Sequence, residues 1–222
     1  MTAISTKGLT IQILDGDAVG TDLDISAITK ADPPVVTLGT PLGGAPNVGD
    51  VVVFGSTTGF DELNGRTFLV ASTPTPTVSS FALAGIDLTD SDGVIAGGIS
   101  ATLYTVTDFI NLCLSQLDIG AATVNPIDVG TFCGPASITG QPQLGTLTIG
   151  GYVDPNDTGY LEVIKAEQDN KPRVILVEFP ADYGFLVGLV TIGSVSWDLP
   201  LEGGVGWSAT ASQNSQLRYM KP

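Results

Sequence analysis

From residue 25 to residue 106, strand-like runs begin every 12 to 18 residues, and turn-forming residues fill the gaps between them. Pro33-Pro34-Val35-Val36-Thr37-Leu38, Asp50-Val51-Val52-Val53-Phe54, Arg66-Thr67-Phe68-Leu69-Val70 and Ser80-Phe81-Ala82-Leu83 are rich in β-branched and aromatic side chains. Their connectors carry Gly43-Gly44, Asn64-Gly65, Pro74-Thr75-Pro76 and Gly97-Gly98. Asn and Gly both tolerate a positive φ, so Asn64-Gly65 between two such runs marks a turn. The pattern predicts a small β-barrel or sandwich.

The flanking sequence is also strand-rich. In Leu9-Thr10-Ile11-Gln12-Ile13-Leu14, apolar and polar residues alternate, so one face is buried. Asp15-Gly16-Asp17-Ala18-Val19-Gly20-Thr21-Asp22-Leu23-Asp24 follows and imitates a calcium loop. Val19 and Ser26 stand where such a loop needs an oxygen ligand and a Glu, so it reads as a solvated turn. Residues 107–117 fit two periods. Asp108 can cap a helix carrying Phe109, Leu112, Cys113 and Leu117, yet Ile110, Leu112 and Leu114 also alternate with Asn111, Cys113 and Ser115. Residues 125–142, with three prolines and three glycines, read as a long excursion. Gly145-Thr146-Leu147-Thr148-Ile149 is a strand. One helix is expected, capped by Asp157 and stopped by Asn170-Lys171-Pro172, with Leu161, Ile164 and Gln168 sharing a face with Tyr160 and a solvent face from Glu162 to Ala166. Arg173-Val174-Ile175-Leu176-Val177-Glu178-Phe179 is a strand. The runs 183–197 and 205–211, separated by Pro200-Leu201-Glu202-Gly203-Gly204, form one long hairpin, with Trp197 and Trp207 assigned to core packing.

Composition then removes whole classes of function. The chain has no histidine, which excludes Ser-His-Asp, Cys-His and zinc-histidine chemistry. No catalytic, cofactor or metal residues are assigned. Eight basic residues face 23 acidic ones, a net charge of −15, and no Lys or Arg lies between Thr67 and Ile164. A nucleic-acid binder needs a basic stripe to displace counterions, so tight binding is not expected. Cys113 and Cys133 are read as isolated buried thiols. Asp61 and Glu62, the nearest thing to a glycosidase carboxylate pair, are adjacent and expected on opposite sides of a strand, whereas that chemistry needs them across a cleft. Met1-Thr2-Ala3-Ile4-Ser5-Thr6-Lys7 lacks the pattern of a secretion signal, and no apolar run is long enough to span a membrane, so synthesis in a cytoplasm is expected.

Two resemblances add to this. Leu147-Thr148-Ile149, Gly159-Tyr160-Leu161, Val174-Ile175-Leu176-Val177 and Val195-Ser196-Trp197, in that order, resemble the C-terminal half of the tail tube proteins of siphophages, and Asp128-Val129-Gly130-Thr131-Phe132 resembles the start of that family's long loop. Gly49-Asp50-Val51-Val52-Val53, Glu62-Leu63-Asn64-Gly65-Arg66-Thr67-Phe68, Phe81-Ala82-Leu83-Ala84-Gly85-Ile86-Asp87 and Gly97-Gly98 resemble a small β-barrel module related to a domain of ubiquitin-activating enzymes. The resemblances imply a mainly β chain: a discontinuous tail-tube-type β-sandwich or barrel with one α-helix over residues 1–24 and 108–222, and an inserted small β-barrel over 25–107, projecting outward from the tube wall. By the same analogy Ile110 to Leu117 becomes a strand. The implied function is that of a structural virion protein, not an enzyme. It would form stacked, hexameric rings, meet tape-measure, tail-tip and terminator proteins, and let DNA pass an acidic lumen. The alternative from another class is a tail-fibre or baseplate adhesion module.

Overall fold

The computed structural model describes residues 9–55, 60–93, 99–120, 123–131, 134–180, 183–200, 203–215 and 217–221, and for 123–131 and 134–143 it describes the backbone. Residues 1–7, Gly97-Gly98, Phe132, Cys133 and Leu201-Glu202 lie outside the described residues. The chain runs β1 (Thr10–Leu14), β2 (Thr21–Ile28), β3 (Val35–Leu38), β4 (Val51–Phe54), β5 (Thr67–Leu69), β6 (Ser80–Ala82), β7 (Ser100–Tyr104), β8 (Phe109–Asn111) and β9 (Gln116–Ile119). It continues with β10 (Thr123–Thr131), β11 (Gly134–Gln143), β12 (Thr146–Tyr152), α1 (Thr158–Asp169), β13 (Arg173–Phe179), β14 (Gly184–Asp198), β15 (Gly206–Gln213) and β16 (Arg218–Met220).

The expected turn-rich segment is a six-stranded sheet in the order β5-β4-β7-β2-β3-β6. A bridge between Val70 and Leu83, with Ala84 N–H donating to Leu69 O at 2.8 Å and Ala71 N–H to Ala82 O at 2.9 Å, joins its two outer strands. The sheet therefore closes into a small barrel filled by Phe54, Phe60, Phe68, Val70, Phe81, Leu63, Leu83 and Leu88. Closure removes the exposed edges that so short a sheet would otherwise leave. Gly65 takes φ 64 in the turn between β4 and β5, as its position beside Asn64 required. The stretch from Thr21, read as part of a solvated turn, is instead strand β2. It pairs with β7 from Thr21 through Asp24 and with β3 from Ile25 onward, across a bulge between Ile25 and Ala27.

The second sheet has the order β8-β1-β13-β14-β15-β12-β9, with β16 also on β14. The segment that fitted two periods is neither one helix nor one strand. After a 3-10 turn at Val106–Asp108, β8 pairs with β1 at one edge of the sheet and β9 pairs with β12 at the other. Only residues 112–115 separate them, a link that extends no more than about 3.6 Å per residue, so the sheet curls until its edges nearly meet. Helix α1 fills the curl.

The helix ends where its sequence says. Asp157 Oδ1 accepts the Gly159 N–H at 2.9 Å, a cap worth about 1 kcal/mol, and Asn170 ends the helix in a left-handed conformation at φ 53. Its faces differ from the expectation. Tyr160, Val163 and Ala166 are buried together with Glu162, while Leu161 is half-exposed. The reason lies outside the helix: Arg173 Nε donates to Glu162 Oε1 at 2.8 Å and Arg173 Nη2 to Asp169 Oδ2 at 2.7 Å, with both Glu162 and Arg173 buried. Glu162 Oε1 also accepts the Gly16 N–H at 2.9 Å, so a carboxylate read as solvent-facing ties the helix, β13 and the exit from β1 together.

Strand β13 serves two cores. Val174 and Leu176 pack with the small barrel, whereas Ile175 and Val177 pack with Tyr160, Val163 and Ala166 of α1. Leu14, Phe109, Val187 and Met220 join the barrel's side of this arrangement. Gly85, at φ 75, lies so close that a Cβ there would come within 2.6 Å of Met220 Cγ. The barrel thus docks on one face of the curled sheet instead of hanging by its two linkers.

Two outcomes follow for stability. Arg173→Ala leaves Glu162 buried without its partner and is expected to cost about 3–5 kcal/mol in urea unfolding. Burial opposes ionisation of Asp169, but hydrogen bonds from Arg173 and the Lys171 N–H, and the charges of both residues, outweigh it and hold the carboxyl below its ordinary value. A depressed carboxyl stabilises the fold above the unfolded-state pKa and loses that effect as pH falls through the folded-state value. Urea stability is therefore expected to decline below about pH 4, and Asp169→Asn to flatten part of that decline.

Candidate assembly surfaces

Gly120 N–H donates to Thr146 O at 2.8 Å, and β9 runs antiparallel to β12 with Ile119 opposite Leu147. Hydrogen-bonded and non-bonded positions alternate along an antiparallel pair. The amides of Gln116 and Asp118 therefore face β12, while those of Leu117 and Ile119 face away from the sheet. Among the described strands, β9 has no partner on that outer side, and β8 has none beyond β1. These open edges are unpaired donors and acceptors on a surface strand.

The excursion read between residues 125 and 142 is a two-stranded ribbon, β10 against β11. Thr123 opposite Gln143 keeps the register of Ile119 opposite Leu147, so β9–β10 and β11–β12 form one long hairpin whose root lies in the curled sheet. The register shifts between Val124 and Pro126, a bulge that suits a residue with no N–H to donate. Nine residues of β10 extend the ribbon by roughly 30 Å. Among the described strands, each half of the ribbon pairs only with the other.

The expected C-terminal hairpin is present, with β14 pairing β15 and Trp197 opposite Trp207. A bulge between Ile192 and Ser194 divides β14, and its pairing with β13 stops at Val190 opposite Arg173, so among the described strands the outer part of β14 pairs with β15 alone. Trp207 is buried against Tyr160 with ring centroids 5.6 Å apart. Trp197 is not core: it is 50% exposed, with its indole N–H donating to the Tyr160 hydroxyl at 2.9 Å. With the exposed Tyr152 it flanks a shallow cleft of about 380 Å³ that Gln116, Ser196 and Asp198 also line.

No protein-family model matches this chain, and no curated protein matches it. Among solved structures, the hybrid solid-state NMR and cryo-EM structure of the SPP1 tail tube aligns over 50% of this chain and 68% of its own, at 14% identity and a TM-score of 0.38. A likeness that slight carries no argument, and the functional reading rests on the surfaces themselves.

The remaining residues singled out from sequence are scattered. Asp61 is exposed and Glu62 half-buried, and both lie in the turn after Phe60 instead of on a strand. Asp17 pairs with Lys165 at 2.6 Å, and that hydrogen bond with the lysine charge holds the Asp17 carboxyl below its usual value. The loop from Asp15 thus serves a lysine of α1. Cys113 is exposed, because the flanking Leu112 and Leu114 turn inward in the link and leave the alternate position outside. Among the described residues no cluster of three metal-ligating side chains forms, and no helix is long and apolar enough to cross a membrane. Sequence periodicity had no means of finding the outward amides of β9, since facing is set by pairing.

Replacing Trp197 with Phe keeps an aromatic ring at the cleft but removes the indole N–H, with its bond to Tyr160, and part of the ring surface. Trp197→Phe is expected to lower unfolding stability by about 0.5–1.5 kcal/mol in urea titration.

Proposed function

We propose that this chain is a structural subunit of a bacteriophage tail tube, polymerising as stacked, hexameric rings through which DNA passes. The observation that carries the reading is the pair of open edges on a sheet already curled to near closure. A sheet of this kind completes its hydrogen bonding by pairing with further copies of itself, and a repeated rotation closes such contacts into a ring. The β10–β11 ribbon has the reach to meet a neighbouring ring, and α1 is the second candidate for that contact. The resemblance of the sequence to siphophage tail tube proteins agrees with both. In this reading the small barrel stiffens each subunit by its shared core.

The charge fits a conduit. Six copies at −15 each give a ring a formal charge of −90, and the repulsion of phosphate lets DNA pass without adhering. The partners of this reading are other copies of the chain, a tape-measure protein, and the tail-tip and terminator proteins at the ends of the tube. The chain does no catalysis. The half-exposed Trp197 beside its cleft favours a second reading, an adhesion module of a fibre or baseplate, which copy number per particle separates from a tube protein.

Electron microscopy of the purified protein at rising concentration is the test, with hollow tubes of constant diameter expected. Ile119→Pro deletes an outward-facing amide while sparing the ladder to β12, so the variant is expected to remain folded by circular dichroism and to form no tubes. Monomers alone at high concentration, also after addition of a tail-tip complex, would contradict the tube reading.

A further inference from the structure

Each basic residue in so acidic a chain has many carboxylates available to it. Lys165 and Arg173 have found theirs, in Asp15, Asp17, Glu162 and Asp169. Lys30, Lys171 and Lys221 are exposed, where water satisfies the charge. Arg66 and Arg218 follow neither pattern: both are half-buried, and among the described residues neither has a carboxylate within ion-pair distance or an acceptor for its guanidinium N–H groups.

Both residues stand where β5 of the barrel adjoins β14 of the curled sheet. Arg66 immediately precedes β5, and Arg218 opens β16, opposite Val187 of β14. The Arg218 guanidinium carbon lies 5.7 Å from the centroid of the Phe68 ring, which is buried beneath it. Phe68 is two residues beyond Arg66 along an extended strand, so the two side chains lie on the same side. Burial first, and then the like charge of Arg66, push the Arg218 pKa down. Like charges near one another in partial burial, with no carboxylate beside either among the described residues, are unfavourable for the isolated subunit, and an anion brought from outside relieves that cost. A guanidinium fork matches the two oxygens of a carboxylate or phosphate, and the aromatic ring beneath holds its plane in place.

We propose that Arg218, over the Phe68 ring, and Arg66, on the same side of the strand as that ring, form a receiving site for an oxyanion, filled by a carboxylate of a second copy of this chain or by a free oxyanion of the same forked geometry. The site belongs to one subunit and does not depend on the ring reading. The chain's own surplus of acid supplies the first source in abundance.

Arginine side-chain NMR of the full-length, nitrogen-labelled protein tests this, with the Nε–H signals of Arg66 and Arg218 assigned through Arg66→Lys and Arg218→Lys. One series adds inorganic phosphate to dilute protein against chloride of equal ionic strength; the other raises protein concentration without phosphate. Both signals are expected to move saturably in at least one series: a response to phosphate beyond that to chloride identifies a free oxyanion, and a response to concentration identifies a second copy. Arg66→Gln and Arg218→Gln, checked for native folding by circular dichroism, are each expected to weaken that response about tenfold or more. The proposal is overturned if both signals stay still in both series, if chloride moves them as phosphate does, or if the glutamine variants respond like the unmodified protein.

Discussion

Glu162 and Arg173 meet at 2.8 Å inside the protein, and three distant parts of the chain converge on that contact. Glu162 stands on the helix, Arg173 begins β13, and the Gly16 amide that also donates to Glu162 marks the point where the chain leaves β1 for the barrel. A buried ion pair contributes little net stability over an apolar pair of the same shape, because both charges lose their water. What it does here is exclude alternatives. The helix cannot rotate about its axis, nor the β1 exit drift from β13, without stranding a charge. Asp169 takes another nitrogen of the same guanidinium at 2.7 Å and anchors the last turn of the helix to it.

With the helix so placed, the curled sheet has a filled interior, and its other face is free to receive the barrel. Strand β13 is apolar on both sides for this reason: a strand between two layers has no solvent face. The barrel docks on it by close approach, with Gly85 lacking the Cβ that would collide with Met220. The first turn of the helix uses the same device, where a Cβ on Gly159 would collide with the Asn111 carbonyl. The two units therefore share a core although one interrupts the other in sequence.

Local signals in the sequence were legible wherever their cause is local. Asp157 and Asn170 bound the helix because capping is decided within one turn, and β13 is found with the same limits because four consecutive apolar residues, Val174 to Val177, centred between Pro172 and Pro180, permit little else. The long hairpin ending in Trp197 and Trp207 could be read from two strand-like runs about a Gly-rich connector. The buried face of the helix could not, since it depends on Arg173, which joins Glu162 only after the chain has turned back. Residues 107–117 defeated periodicity because the segment belongs to both edges of one sheet, with the Leu112 amide bonded to Ile11 O and the Ser115 amide to Gly150 O. Strand β2 carried Asp22 and Asp24 on a half-exposed face, so charge masked its alternation. The ribbon β10–β11 is glycine- and proline-rich, and its strand character comes from extending the β9–β12 register outward. The candidate assembly edges are legible only in pairing, which no composition encodes.

If the open edge of β9 is the seam between subunits, its two kinds of amide must behave differently. Asp118, facing β12, is bonded within the subunit; Leu117 and Ile119, facing outward, acquire partners only from another copy. Residue-resolved hydrogen exchange, compared between dilute protein and protein concentrated until it assembles, measures this directly. The account requires slow exchange at Asp118 in both states and slowing at Leu117 and Ile119 on assembly alone. Assembled protein in which Leu117 and Ile119 exchange as fast as in the dilute sample would contradict edge pairing as the bond that builds the ring.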